Sequence, residues 1–353
     1  MSTRNGTFCF TFDDTGEQLE KIFEVSDLER QKHAAFIIPY FGKFNNYFQL
    51  FLNSCAKNPT YDWIIFTDDK RHFQYPDNVI VHDTTFADIK ALFRSKFSFD
   101  LSMDKPYKLC DYRPAYGYVF AEYLKGYPYW GECDTDLIFG DIDQFLFPKM
   151  QESYDKIGIF GHCTLYRNTE ELNTLFLKKL NGKQRFQQVA QEYWNHSFDE
   201  EFKESINDIF EQEKKKICYT EYQANIYTKS SDFRLTTLNA DHMTYSHEPA
   251  KKAFFAWEDG KLYRYLKAQR DAKTIEKKEF LYIHMQSRPM KVVINEKETR
   301  YKIIPNSFDP LEAYPVTSDN FSEIKIKHFN LHYFRLRSKN LWIKIKKKLT
   351  HTK

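Results

Sequence analysis

Short apolar runs, each closed by turn-forming residues, alternate with stretches of helical spacing along the N-terminal half of the chain. Ala34-Ala35-Phe36-Ile37-Ile38 is apolar at every position and stops at Pro39-Tyr40-Phe41-Gly42. That is the pattern of a strand buried on both faces, followed by its exit loop. Residues 45–57 bring Tyr47, Phe48, Leu50, Phe51, Leu52 and Cys55 to helical spacing. Trp63-Ile64-Ile65-Phe66-Thr67 repeats the strand pattern and ends at Asp68-Asp69, and Val79-Ile80-Val81 is a third short run. Residues 88–97 read as a helix. Residues 107–124 read as a longer one, kinked at Pro114, whose nitrogen has no hydrogen to donate. Ahead of these, 7–12 carries a weak strand signal and 18–31 a helical one. The alternation predicts an α/β fold with a mostly parallel, doubly wound (Rossmann-like) sheet flanked by helices. Ligands of such sheets bind at the carboxyl ends of the strands, here the 39–43 loop and Asp68-Asp69.

Further along, Tyr129-Trp130-Gly131-Glu132-Cys133 leads into Asp134-Thr135-Asp136, and the apolar run Leu137-Ile138-Phe139 follows. Residues 157–160 read as a strand, 170–230 as helical and charged, and 233–270 as mixed. A late strand over 279–283 runs into His284-Met285-Gln286-Ser287-Arg288. No internal repeat or low-complexity linker interrupts the chain. The expected organisation is an extension over 1–32, one domain over 33–320 with a helical insertion at about 165–275, and a tail over 321–353.

Composition narrows this picture in three ways. At 42% hydrophobic and 29% charged residues, a packed core is expected rather than disorder. Cys9, Cys55, Cys110, Cys133, Cys163 and Cys218 include no C-x-x-C pair, which argues against a zinc ribbon or a thiol redox motif. They are expected to be buried thiols in a reducing cytoplasm. No run reaches the roughly 18 apolar residues of a membrane span, and the start has no apolar signal core, so a soluble or peripheral protein is expected.

Charge is unevenly spread. Residues 325–353 hold ten Lys/Arg and no Asp/Glu, leaving 42 basic against 49 acidic residues before them. Apolar residues including Leu341, Trp342, Ile345 and Leu349 are interleaved with those cations. If helical from about Ser338, the tail is amphipathic and suited to an anionic membrane surface. Specific nucleic-acid binding is not expected.

The chemistry concentrates at Asp134-Thr135-Asp136. Two carboxylates two residues apart at a strand end suit a hard divalent ion, Mn²⁺ or Mg²⁺, which keeps places for phosphate oxygens. His284 would complete that shell as a neutral imidazole, and Arg288 nearby would grip a diphosphate. Lys108, Asp111 and Arg113 lie on one predicted helix and are candidates for contact with sugar or phosphate, or for an ordinary helical ion pair. Glu221, among aromatics, is a candidate acid–base group because burial raises a carboxyl pKa, and Asp259 is its rival. Phosphate loops of the G-x-G-x-x-G or Walker type are absent, which counts against dehydrogenases and P-loop kinases.

Ile38-Pro39-Tyr40-Phe41-Gly42, Lys108 with Asp111-Tyr112-Arg113-Pro114, the run from Trp130 to Asp136, and Tyr282-Ile283-His284-Met285-Gln286 together resemble a bacterial family of uncharacterised GT-A proteins, similar to capsular and surface-polysaccharide glycosyltransferases. The likeness covers about 33–292. It implies a nucleotide-sugar donor, usually a UDP-sugar, bound with Mn²⁺ or Mg²⁺, and a glycan or lipid-linked acceptor. It puts the metal on Asp136 and His284, with Asp134 nearer the ribose or the metal. Pro39, Tyr40, Phe41, Asp68, Lys108, Asp111, Arg113, Asp134 and Arg288 become donor-site expectations. Retention of the anomeric configuration is favoured by analogy alone. The competing readings are a metal-dependent phosphohydrolase and a non-catalytic sugar- or membrane-binding protein.

Overall fold

The computed structural model describes residues 31–227, 233–249, 251–268 and 274–326. It adds backbone at 11–12 and 18–19 and the positions 338, 339, 341, 342 and 345. Its centre is a seven-stranded sheet. Strands β1 (Ala34–Tyr40), β2 (Tyr61–Thr67), β3 (Val79–Asp83) and β4 (Tyr129–Cys133) are parallel to their neighbours in the order β4-β1-β2-β3. β1 and β2 bury every residue up to Ile38 and Thr67, as uninterrupted apolar runs require. Helices Phe48–Ala56 and Phe86–Lys96 connect these strands. The second opens with a reciprocal capping box between Thr85 and Asp88. The fold is therefore mixed α/β, with a largely parallel sheet flanked by helices.

Several elements differ from the sequence expectation. The 107–124 segment is a relay of short turns rather than one kinked helix. Pro106–Lys108, Leu109–Tyr112, Arg113–Ala115, Tyr116–Val119 and Ala121–Leu124 alternate between 3-10 and α geometry. Pro114 interrupts the ladder of N–H donors, while Pro106 opens the first turn, where a missing N–H costs nothing. The strand expected at 157–160 is only β6 (Lys156–Ile157), and the pairing partner of β4 is β7 (Cys163–Arg167), which runs antiparallel to it. The expected helical stretch at 170–230 contains the helices Glu170–Asn173, Arg185–Gln191 and Ile206–Gln212. Between and after them lie loops and the short strands β8 (Ile217–Cys218) and β9 (Ala224–Asn225). At the N-terminus, Thr11–Phe12 and Gln18–Leu19 pair as strands, and the rest of the expected helix over 18–31 lies outside the described residues apart from 31.

A second, antiparallel assembly follows. Ala253–Glu258, Lys261–Lys267, Ile275–Phe280, Arg300–Ile304, Ser307–Pro310 and Lys291–Val292 form a six-stranded sheet. Helix Ser318–Ile326 packs on it, with Phe321 and Ile324 buried beside Phe254 and Ile304. The tail boundary expected at 321 therefore falls inside a packed helix. Among the described tail positions, Ser338, Lys339, Leu341, Trp342 and Ile345 are helical and exposed; the rest of 327–353 lies outside the described residues. Cys55, Cys133, Cys163 and Cys218 are buried free thiols and Cys110 is a half-buried one, while Cys9 lies outside the described residues. No described helix is long and apolar enough to cross a membrane.

The loop after β1 is held by the carboxylates that end β2. Asp68 accepts the Gly42 N–H at 2.8 Å, and Asp69 accepts the Phe44 N–H at 2.9 Å and also pairs with Arg71. Bonding from Arg71, which outweighs the opposing effect of burial, lowers the Asp69 pKa to about 2. A carboxyl depressed in the fold contributes stability above its unfolded pKa of about 4, lost as pH falls toward 2. Denaturant unfolding at pH 5 and pH 2.5 should show that loss, on the order of 1 kcal/mol or less for a pair screened by solvent. Asp69→Asn should be less stable at pH 5 and show a correspondingly flatter pH dependence.

Candidate active site

Register brings the site together. β5 (Leu137–Phe139) directly follows Asp136, and the late strand Tyr282–His284 pairs with it antiparallel, His284 opposite Leu137. The Met285 N–H then donates to the Asp136 carbonyl at 3.1 Å, so two segments about 150 residues apart in the chain meet at one point. His284 Nε2 lies 3.5 Å from Asp134 Oδ2 and 3.5 Å from Asp136 Oδ1. Donor atoms of the three residues all lie within 4.8 Å of one another, and this group can hold a metal ion. Two hard oxygens and one imidazole fit Mn²⁺ or Mg²⁺. Gln286 and Ser287, both at φ +52°, turn the chain so that the Ser287 N–H donates to the other Asp136 oxygen. Consecutive left-handed non-glycine residues carry backbone strain of the kind that collects at functional sites.

Arg113 is the main counter-charge. Its guanidinium pairs with Asp134, donates to Asp199 at 3.1 Å and to the Gly161 carbonyl, and lies 3.7 Å from Glu132. Burial would raise the Asp134 pKa, but Arg113 and His284 together hold it well below the usual carboxylate range. For His284, burial favours the neutral ring, yet Asp136 and Asp134 overcome it and raise the pKa to about 9. The neighbouring His162 is buried. Its Nδ1 meets the Tyr282 hydroxyl at 2.8 Å, and its ring lies 4.4 Å from that of His284.

The trio lies on the wall of a cleft of about 1160 Å³ at the carboxyl ends of β1 and β4. Pro39, Tyr40, Phe41, Arg113, Asp134, Asp136, His284 and Arg288 all line it. The guanidinium of Arg288 donates to the carbonyls of Pro305 and Tyr227, both at 3.2 Å, and burial lowers its pKa to about 10. Tyr47, also on the wall, buries a hydroxyl that makes no hydrogen bond among the described residues. Burial, and then the charge of Asp136, raise the pKa of that hydroxyl.

Other candidates lie elsewhere. Asp68 secures the loop behind the wall. Lys108 and Asp111 are fully enclosed, 2.8 Å apart, and do not line the cleft. Lys108 Nζ donates to the carbonyls of Val189 and Trp194, and Asp111 accepts the N–H groups of His196 and Phe198. The pair clips the 194–198 loop in place. Glu221 is half-buried beside the Leu238 N–H, away from the cleft lining, and burial raises its pKa. Asp259 sits in the exposed turn between Ala253–Glu258 and Lys261–Lys267, paired with Arg300 at 2.9 Å and outside the cleft.

The clipped loop delivers residues that the sequence reading passed over. Glu200 and Glu201 line the cleft, and burial raises both pKa values. A Cβ on Gly161 would stand 2.9 Å from Glu200 Cγ and 2.5 Å from Asp199 Oδ2, so this wall closes only on glycine. The next residue, His162, accepts the Asp134 N–H on its carbonyl at 3.1 Å, which places Glu200 beside the metal group. The only sequence cue was the acidic run Asp199-Glu200-Glu201, which reads equally as a solvated helix face.

A family model described as a family of unknown function matches residues 36–312. The chain belongs to that family, DUF6625. No curated protein matches it. Among solved structures, mouse xyloside xylosyltransferase 1 in its apo form is similar to this DUF6625 chain at 10% identity with a TM-score of 0.33. The overlap covers 56% of this chain and 88% of that one. At that score the overlap is partial, and the functional reading rests on the site itself.

His284→Ala should weaken Mn²⁺ binding about tenfold or more, and Asp134→Ala with Asp136→Ala should abolish it, with the fold retained. Calorimetry with Mn²⁺ alone and circular dichroism of each variant check this. Unchanged Mn²⁺ affinity in His284→Ala would remove the imidazole from the metal group.

Proposed function

We propose that this DUF6625 protein is a metal-dependent glycosyltransferase that moves a sugar from a nucleotide diphosphate sugar, UDP-linked by preference, to a glycan or lipid-linked acceptor. The observation that carries the reading is the Asp134–Asp136–His284 group on the wall of a cleft roomy enough for two substrates. A divalent ion held there would neutralise charge developing on a diphosphate leaving group. Pro39, Tyr40 and Phe41 would flank the nucleotide, and the Tyr47 hydroxyl and Arg288 would face the phosphates. Arg113 keeps Asp134 ionised. Lys108, Asp111 and Asp68 act from behind, by holding the loops that form the walls.

Glu200 takes the acid–base role in this proposal in place of Glu221 and Asp259, because it alone of the three lines the cleft. A carboxyl made basic by burial suits removal of a proton from an acceptor hydroxyl. A phosphohydrolase reading is less well supported. Such sites commonly pair two metals, whereas the described residues offer one metal-competent group. Calorimetry with UDP, with and without Mn²⁺, tests the central claim: binding that needs the ion supports it, and no binding in either condition overturns it. Glu200→Gln should retain UDP–Mn²⁺ affinity while turnover of the donor falls about 100-fold or more. Normal turnover in that variant would return attention to Glu221.

We further propose that the tail places the enzyme on the inner face of the cell membrane, where a lipid-linked acceptor would lie. Leu341, Trp342 and Ile345 are helical and 60%, 69% and 48% exposed, within the stretch that holds ten cations and no anions. Each cation near an anionic surface is worth about 1 kcal/mol. Because Phe321 and Ile324 belong to the core, the truncated control should end at Ile326. Full-length protein should co-sediment with phosphatidylserine vesicles and the truncated form should not. Equal sedimentation of the two would sink the idea.

A further inference from the structure

The cleft exceeds the needs of one small ligand. Its volume of about 1160 Å³ is above the roughly 300–1,000 Å³ usual for such sites. Its wall at Pro106 and Tyr107 continues outward into an aromatic surface. Tyr107 is 70% exposed, Tyr193 55% and Trp194 61%. These residues share one support. Lys105 Nζ stands 4.7 Å from the centroid of the Tyr193 ring. Lys108, next to Tyr107, donates to the Trp194 carbonyl at 2.6 Å. Asp111 accepts the His196 N–H, and the Trp194 and His196 rings lie 6.1 Å apart. The buried Lys108–Asp111 pair thus fixes the backbone while the rings stay in solvent.

Large exposed rings beside a cleft mark a binding surface. Tyrosine and tryptophan present an apolar face and a polar edge, and a sugar ring has the same division, with C–H groups on its face and hydroxyls around its rim. The surface is also continuous with the catalytic wall: Tyr107 lines the same cleft as Glu200.

We infer that Tyr107, Tyr193 and Trp194 form a platform on which an extended carbohydrate acceptor stacks, its terminal hydroxyl entering the cleft beside Glu200. The inference rests on the transferase reading and deepens it: the acceptor is an oligosaccharide chain rather than a free monosaccharide. In the reaction, the acceptor oxygen bonds to the anomeric carbon of the donor. The bond from that carbon to the diphosphate oxygen breaks, with its electron pair leaving on the diphosphate, and the hydroxyl proton passes to Glu200.

Trp63, Trp130 and Trp257 are buried, so in a Trp342→Phe background Trp194 is the remaining solvent-facing indole. Fluorescence titration of that protein with cello-, malto-, laminari- and chito-hexaose should give a saturable change with at least one. Adding Tyr107→Ala and Tyr193→Ala should weaken it about tenfold or more, with UDP–Mn²⁺ affinity unchanged. No saturable response to any of the four, or equal affinity in the doubly substituted protein, overturns the platform. Oligosaccharide binding by a protein that fails to bind UDP with Mn²⁺ keeps the platform and overturns the transferase reading instead.

Discussion

Everything at this site depends on one strand pairing. Tyr282–His284 lies antiparallel to Leu137–Phe139 with His284 opposite Leu137. Side chains alternate between faces along a strand, so a slip of one residue would put Ile283 at the cleft and His284 in the core. The register is enforced from both sides. Ile138 and Ile283 are completely buried in a shared apolar cluster, and Gly140 donates to the Leu281 carbonyl at 2.7 Å. Gly140 has no room for a Cβ, which would stand 2.6 Å from the Phe280 carbonyl. The strand Ile275–Phe280 of the six-stranded sheet ends one residue before this pairing begins, and so delivers His284 to two carboxylates about 150 residues earlier in the chain.

A second layer of charge supports the first. Arg113 joins Asp134 to Asp199, and the Lys108–Asp111 pair holds the loop that carries Asp199 and Glu200. Burying an ion pair is costly unless its remaining hydrogen-bonding capacity is met. Here Lys108 has two backbone carbonyls besides its partner, and Asp111 has two backbone N–H groups. Removing either member would strand a buried charge and release the cleft wall, so both act on function through position.

The legible part of this protein was its local pattern. The consecutive apolar residues Ala34–Ile38 and Trp63–Phe66, closed by turn formers, read as buried strands, and the D-x-D between two apolar runs read as a strand-end site. His284 was legible for the same reason. Lys108 and Asp111 were legible as a pair but not in direction, because three-residue spacing says that two side chains share a face and not which way that face points. The short turns over 106–124 hid that orientation further. Charged and aromatic residues are mixed through 253–310, where each strand has one face on the core and many polar neighbours, so the antiparallel sheet left only a weak period-two signal. Glu200 was illegible because its burial comes from a loop clipped by residues about 90 positions earlier.

The balance of charge explains why such a cleft suits a cation. Glu132, Asp134, Asp136, Asp199, Glu200 and Glu201 gather around Arg113, His284 and the buried Lys156. Burial raises the pKa of Glu132, Glu200 and Glu201, takes Asp199 to about 8, and lowers that of Lys156 to about 7. Every one of those shifts moves a group toward neutrality, as expected where water is scarce. Asp134 and His284 are the exceptions: Arg113 and His284 hold the carboxylate ionised, and Asp136 and Asp134 hold the imidazole protonated. The surroundings therefore shed charge, while the carboxylate and the imidazole of the metal group keep theirs. A dication bound there would have to displace the proton of His284, whose pKa is raised to about 9, so metal binding would strengthen as pH rises toward that value.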